Sequence, residues 1–333
     1  MERIRTKGER GEAARPIMLT SLFKDLPAAA PAMRGAVIAF ILTFAALKSR
    51  FSFLPKDKGR ALAVDGEKSR GKIRGVGLVM AVCFVACSLL FVAVSAEYLI
   101  LCGVFLLEML SGYLDDASKK SWSDYRKGLI DLCLAAGFMV SYVCFNPTEA
   151  AFFDRTFTLN PWVYGVLGTA LIWLSINVTN CSDGVDGLCA CQSAVVLLSF
   201  AVIFGDALGD YKWYAVILCA VALSYLWFNS YPSSMLMGDA GSRMLGFFFA
   251  VLAMKSGHPF SFLVLCLVMI LDGGSGMVKI FLKRFFKISV LKNTLTPLHD
   301  HLRRRLGWSD TQVVQRFAAL QTLLAMLLYM LVR

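Results

Sequence analysis

The chain has 333 residues, 57% of them hydrophobic and 17% charged, with a formal net charge of +11. Soluble domains run nearer half apolar and a quarter charged, so too little polar surface is available for a soluble two-domain enzyme of this length. The same figures exclude disorder, collagen and a small disulfide scaffold.

The stretch 1–31 carries Arg3, Arg5, Lys7, Arg10 and Arg15 and reads as a basic arm followed by an interfacial segment. Its apolar run from Ile17 to Phe23 is short and is broken by Lys24-Asp25, which argues against a cleaved signal. A helix needs roughly 20 apolar residues to cross about 30 Å of hydrocarbon. Such segments recur at 32–47, 75–94, 98–114, 128–145, 162–176, 189–205, 214–228, 244–254, 260–280 and 313–332. Asn146-Pro147, Asn160-Pro161 and Gly257-His258-Pro259 punctuate them at their ends. The expectation is an all-α polytopic integral membrane protein in which 32–333 forms one domain of about ten transmembrane helices. Ten scattered cysteines without a CxxC pair read as small apolar packing residues.

Ten spans place the connecting loops alternately on two sides. One set of loops (48–75, 115–128, 177–188, 229–243 and 279–305) holds 22 Lys and Arg, against three (Arg155, Lys212, Lys255) in the other. The positive-inside rule assigns the first set to the cytoplasm, although the basic arm at 1–16 would then lie on the opposite side.

Every compact polar cluster falls on that basic side. Asp115 and Asp116 are adjacent carboxylates followed by Lys119 and Lys120, a pattern that suits a metal or phosphate site better than stability. A solvated helix cap is the alternative. From Asn177 to Leu188, Asn180, Asp183 and Asp186 recur every three residues around Gly184 and Gly187, which suits recognition of a nucleobase or sugar hydroxyls. An Asn/Asp/Gly-rich turn would look similar. Asn229 precedes Pro232, and Asp239 lies between Gly238 and Gly241, where it could ligate a hard cation or cap the next helix. His299 and His301, with Lys292 and Arg303 to Arg305, read as a phosphate clamp or as a basic membrane-facing loop. Within the membrane, Glu108 and Asp272 are functional or interhelical candidates, and Gly273, Gly274 and Gly276 beside Asp272 suggest a distorted span.

At these residues the chain resembles the polyprenyl-phosphate N-acetylhexosamine-1-phosphate transferases. The resemblance covers most of 50–310 and rests on six ordered motifs. They are Leu54-Pro55-x-Asp57-x-Gly59-Arg60, Asp115-Asp116, the NxxNxxDGxDGL string from Asn177 to Leu188, WFNxxP from Trp227 to Pro232, MGDxGS from Met237 to Ser242, and Thr296-Pro297-Leu298-His299. The Pro-Leu-His form resembles the branch that transfers phospho-MurNAc-pentapeptide more than the branch that transfers N-acetylglucosamine phosphate. Two stretches depart from the family pattern. Asp300 stands where the family has the middle of three histidines, and Gly71 to Gly77 replaces a Gly-Thr-Pro-Thr-Met-Gly-Gly stretch, so family lysine contacts are not transferred to Lys68, Arg70 or Lys72.

The resemblance implies transfer of phospho-MurNAc-pentapeptide from UDP-MurNAc-pentapeptide to undecaprenyl phosphate, releasing UMP and giving lipid I on the cytoplasmic face of a bacterial membrane. It implies Mg²⁺ held by Asp239, and Asp115 as base with Asp116 beside it. Asn180, Asp183, Asp186 and Asn229 would hold the uridine or sugar end, and His299 and His301 the phosphates. Lys119, Lys127 and Arg303 would draw in the anions. A homodimer is a family expectation, and nucleic acid is not an expected partner. A related N-acetylglucosamine-1-phosphate transferase and a non-catalytic scaffold are the alternatives. Ion-coupled transport fits poorly, because transporters gather ionisable residues at mid-membrane rather than at one interface.

Overall fold

A computed structural model describes residues 29–59, 66–152 and 155–332. The basic arm lies outside the described residues except for its last three positions, which already belong to the first helix. Long helices are α1 (Ala29–Lys48), α2 (Gly77–Phe91), α3 (Ala96–Ala117), α4 (Asp124–Phe145), α5 (Pro161–Ser182) and α6 (Leu188–Ile203). A short α7 (Gly205–Leu208) leads into α8 (Tyr211–Asn229) and α9 (Gly238–Lys255). The ninth span is broken into α10 (Ser261–Leu265), α11 (Leu267–Met269), a π-helical turn at Ile270–Gly274, α12 (Ser275–Phe281) and a second π-helical turn at Leu282–Phe286. It is followed by α13 (Leu298–Leu306) and α14 (Asp310–Val332). Among the described residues, six helices are long and apolar enough to cross a bilayer, and α2 and α6 are shorter apolar helices. With α9 and the broken span they make ten segments of a polytopic all-α membrane protein.

The outer helices keep apolar side chains exposed, as a lipid solvent allows. Leu320, Leu323, Met326, Met330 and Leu331 of α14 are examples. In contrast, α9 is buried from Gly238 through Met254 and packs against α2, α3 and α5. It is the axis of the bundle. Lipid tails are as apolar as leucine, so membrane helices associate largely through close packing at small residues. Two such approaches shape the end of α9. A Cβ on Gly77 would lie 2.2 Å from the Gly241 nitrogen, and one on Gly112 would lie 2.5 Å from the Asp239 carbonyl. These glycines press α2 and α3 against the first turn of α9, and so carry the end of α3 to Asp239.

Two features differ from the expectation. Between the expected spans 128–145 and 162–176, β1 (Glu149–Phe152) pairs antiparallel with β2 (Arg155–Thr158), an element absent from the sequence-based expectation. It docks through the Ala151 amide, which donates to the Gly257 carbonyl at 2.8 Å. The segment read as a short span at 244–254 extends to Gly238–Lys255, because its polar first turn is buried in protein rather than in lipid. The distortion expected around Asp272 is present as the π-helical turn at Ile270–Gly274.

Candidate active site

Asp115 and Asp116 occupy the last turn of α3, where the negative end of the helix dipole disfavours carboxylates by about 0.3–1 kcal/mol each and they also repel each other. Cations and amides offset this. Asp115 receives the Trp122 amide at 2.6 Å and pairs with Lys127 Nζ at 2.5 Å. Asp116 pairs with Arg74 Nε at 2.6 Å and accepts the Ala240 amide, in the first turn of α9, at 3.2 Å. Asp239 pairs with Arg74 Nη2 at 3.1 Å and with Lys127 Nζ at 3.0 Å. Asp57 pairs with Arg74 Nη1 at 3.1 Å and accepts the Ser69 hydroxyl. Gly238 makes the crossing feasible. Its φ is +69°, and a Cβ there would lie 2.2 Å from Asp116 Oδ2.

Four carboxylates thus surround two cations. Burial disfavours the charge of Arg74, but Asp116, Asp239 and Asp57 outweigh it and hold the guanidinium pKa above its ordinary value. These groups line a cavity of about 360 Å³ together with Lys56, Lys58, Ser121, Asn180 and Asp183. Asn180 is held there by a 2.9 Å bond to the Ser242 hydroxyl.

The other expected residues stand around this cavity but do not line it. Asp186 accepts Lys72 Nζ at 3.2 Å and the Ser233 amide at 2.9 Å. Asn229 is buried and braces two loops, accepting the Gly187 amide at 2.9 Å and donating to the Met235 carbonyl at 3.0 Å. Its place is therefore that of a strut rather than of a side chain facing ligand. Lys119 is exposed outside the cavity.

His299 is buried, with Nδ1 at 2.9 Å from Asp272 Oδ2 and its amide donating to Asp272 Oδ1 at 2.8 Å. Nε2 lies 3.8 Å from Asp300 and faces Gly184, where a Cβ would approach it to 2.2 Å. Burial lowers the imidazole pKa, but Asp272 and Asp300 outweigh this and raise it overall. The Asp300 departure therefore supplies a second anionic neighbour to His299. His301 turns away and accepts the Leu295 amide at 3.2 Å, while Arg303 pairs with Asp310 at 2.6 Å.

Sequence reasoning missed Arg74, the hub of the site, because it falls in the Gly71 to Gly77 stretch, one of the two that depart from the family pattern. Asp57 was visible only as part of a motif. Lys72 is placed on Asp186 and on the Ser233 hydroxyl at 2.8 Å, a pairing that no local spacing announces.

A bundle of apolar spans with acidic and basic side chains converging at one end, beside buried amide and imidazole struts, defines a membrane-embedded transferase that handles anionic substrates. The comparisons agree. The profile of glycosyl transferase family 4 matches residues 98–257. A phospho-N-acetylmuramoyl-pentapeptide-transferase of Treponema pallidum (strain Nichols) is 36% identical over 307 residues, covering 86% of this chain and 85% of the relative. Transferases of the same name from Thermotoga neapolitana and Geobacillus thermodenitrificans are 30% identical over 277 residues and 27% identical over 317 residues, covering 80% and 87% of this chain and 87% and 94% of those relatives. The chain belongs to the phospho-N-acetylmuramoyl-pentapeptide-transferase family.

Proposed function

We propose that this enzyme transfers phospho-MurNAc-pentapeptide from UDP-MurNAc-pentapeptide to undecaprenyl phosphate, releasing UMP and forming lipid I, at the cytoplasmic face of a bacterial membrane. The observation that carries this reading is the meeting of Asp57, Asp115, Asp116 and Asp239 with Arg74 and Lys127 in one cavity, at the end of the bundle that bears the basic loops. A soluble dianionic donor and a lipid phosphate can meet only at such an interface. Phosphoryl transfer asks the protein mainly for positioning and charge neutralisation.

The residues suit Mg²⁺ by donor chemistry. Among the described residues no three His, Cys, Asp or Glu side chains form a metal cage. Mg²⁺ seldom uses one, being held by one or two carboxylates with water and substrate phosphates. Asp239, with Asp116 beside it, would hold the ion, which when bound neutralises the donor diphosphate and the departing UMP. An oxygen of the lipid phosphate attacks the sugar-side phosphorus as the bond to UMP breaks. A phosphate monoester has its second ionisation near pH 6, so most acceptor arrives already deprotonated, and Asp115 takes the proton from the remainder. Asn180 and Asp183, in the cavity wall, hold the uridine or sugar end. Lys127 bridges Asp115 and Asp239, offsetting their repulsion and fixing their relative position.

The test is a two-donor assay with purified enzyme and undecaprenyl phosphate. UMP release from UDP-MurNAc-pentapeptide but not from UDP-N-acetylglucosamine is expected, and the reverse preference would overturn the donor assignment. Asp239→Asn is expected to lower Mg²⁺-dependent UMP release by at least about 100-fold, the scale on which single electrostatic groups act in such sites. Normal turnover in that variant would remove Asp239 from the metal. A phosphorylated enzyme trapped with donor alone would replace in-line attack by a covalent route.

A further inference from the structure

Arg74 commits all three guanidinium nitrogens to carboxylates of three different chain segments, Nε to Asp116, Nη1 to Asp57 and Nη2 to Asp239. Its main chain is fixed on both sides. The Arg74 amide donates to the Pro55 carbonyl at 2.8 Å, and the Leu236 amide donates to the Ile73 carbonyl at 2.8 Å. The side chain alone is not tied to the backbone, and it lines the cavity, where it is 13% exposed. A guanidinium fork matches phosphate as well as it matches carboxylate, whereas an ammonium is a point charge. Asp57, Asp115, Asp116 and Asp239 outnumber Arg74 and Lys127, the two cations paired with them, and with Lys56, Lys58 and Asp183 counted the cavity wall still keeps an excess of negative charge. A divalent cation would offset that excess and release Arg74 from its three partners.

We propose that Arg74 is an exchangeable counter-ion. Its guanidinium holds Asp57, Asp116 and Asp239 together, and where a divalent cation takes its place on Asp239 the guanidinium passes to the donor diphosphate and becomes a catalytic residue. It makes and breaks no covalent bond. Its contribution is to carry positive charge from the carboxylates to the phosphoryl group in transfer. This rests on the reading that a diphosphate donor and a divalent cation share the cavity.

The exchange predicts effects of opposite sign, which a brace would not produce. In the detergent-solubilised full chain, Mn²⁺ alone serves as the paramagnetic probe of the cation site, calorimetry follows UDP-MurNAc-pentapeptide, and UMP release follows turnover. Arg74→Gln removes the cation that competes with Mn²⁺. It should bind Mn²⁺ at least about threefold more tightly without donor, while donor affinity and kcat each fall at least about tenfold. Arg74→Lys restores the charge without the fork, so Mn²⁺ affinity should return to the wild-type value while kcat stays below about a tenth of it. Asp239→Asn identifies the Mn²⁺ signal that belongs to this site. Weaker Mn²⁺ and weaker donor binding together in Arg74→Gln, with wild-type behaviour in Arg74→Lys, would make Arg74 a brace and overturn the exchange alone. Absence of an Asp239-dependent Mn²⁺ signal in the wild type would overturn the metal reading and the exchange with it.

Discussion

His299 illustrates how burial and charge decide what a motif residue does. The family motif places a histidine there, but its ring lies against Asp272 and its Nε2 faces the backbone at Gly184. It reaches the cavity only through the loop it supports, since Asp183 lines the cavity and Gly184 touches the ring. Its pKa is raised in the folded protein, so folding favours the protonated ring. The stabilisation is complete below the unfolded value of about 6.5 and is lost as pH rises through the higher folded value. The unfolding temperature of the wild type minus that of His299→Gln should therefore be largest at mildly acidic pH and shrink steadily above it. Thermal melts of both proteins across pH 5.5–9 check this, and a difference that grows with pH would contradict the assigned ion pair.

One turn beneath the site, α4 and α9 form a second rung of charge with the polarity reversed. Lys127 of α4 meets Asp239 of α9, and below them Asp131 of α4 pairs with Arg243 of α9. Glu108 of α3 lies 4.0 Å from Arg243, and all three lower members are buried. Breaking a buried pair costs about 3–5 kcal/mol, because the surviving charge is stranded, whereas replacing both members by apolar groups is often neutral. Arg243→Met should therefore destabilise the protein strongly, and Arg243→Met combined with Asp131→Leu and Glu108→Leu should recover most of the loss. Denaturation of the two variants in detergent decides it, and equal destabilisation by both would deny the ladder. Such pairing shows where legibility ended. The ten spans were visible as apolar blocks, because lipid rewards each block by itself. The hairpin at 149–158 was not, being four-residue strands without an apolar run of that kind. The acidic motif residues were visible by type, yet the direction of Asn229 and His301 was not, since it depends on backbone amides 42 and 6 residues away. Arg74 joins partners 17, 42 and 165 residues distant, which only the folded bundle brings together.

At the scale of the whole molecule, the two ends of the bundle use their cations differently, and this sharpens the charge asymmetry beyond a count. Of the three cations on the hairpin side, Lys255 is taken up by Glu97 at 3.0 Å, by Asn146 Oδ1 at 2.7 Å and by the Tyr211 ring, and Lys212 lies over the Trp213 ring. Arg155, on the exposed strand β2, remains the one open to solvent among them. At the opposite end, Lys279, Lys283 and Arg284 follow one another along the broken ninth span and Lys287 caps it. Translocation selects on Lys and Arg close to the span ends, and anionic headgroups of the inner leaflet attract such clusters, which supports the cytoplasmic placement proposed for the site end. The proposed nucleotide donor, a soluble molecule made inside the cell, would call for the same placement. In a cysteine-free background, Arg155→Cys should react with a membrane-impermeant maleimide in intact cells, whereas Ser121→Cys, in the cavity wall, should react only after permeabilisation. Labelling of Ser121→Cys in intact cells would invert the molecule and leave the donor on the wrong side of the membrane.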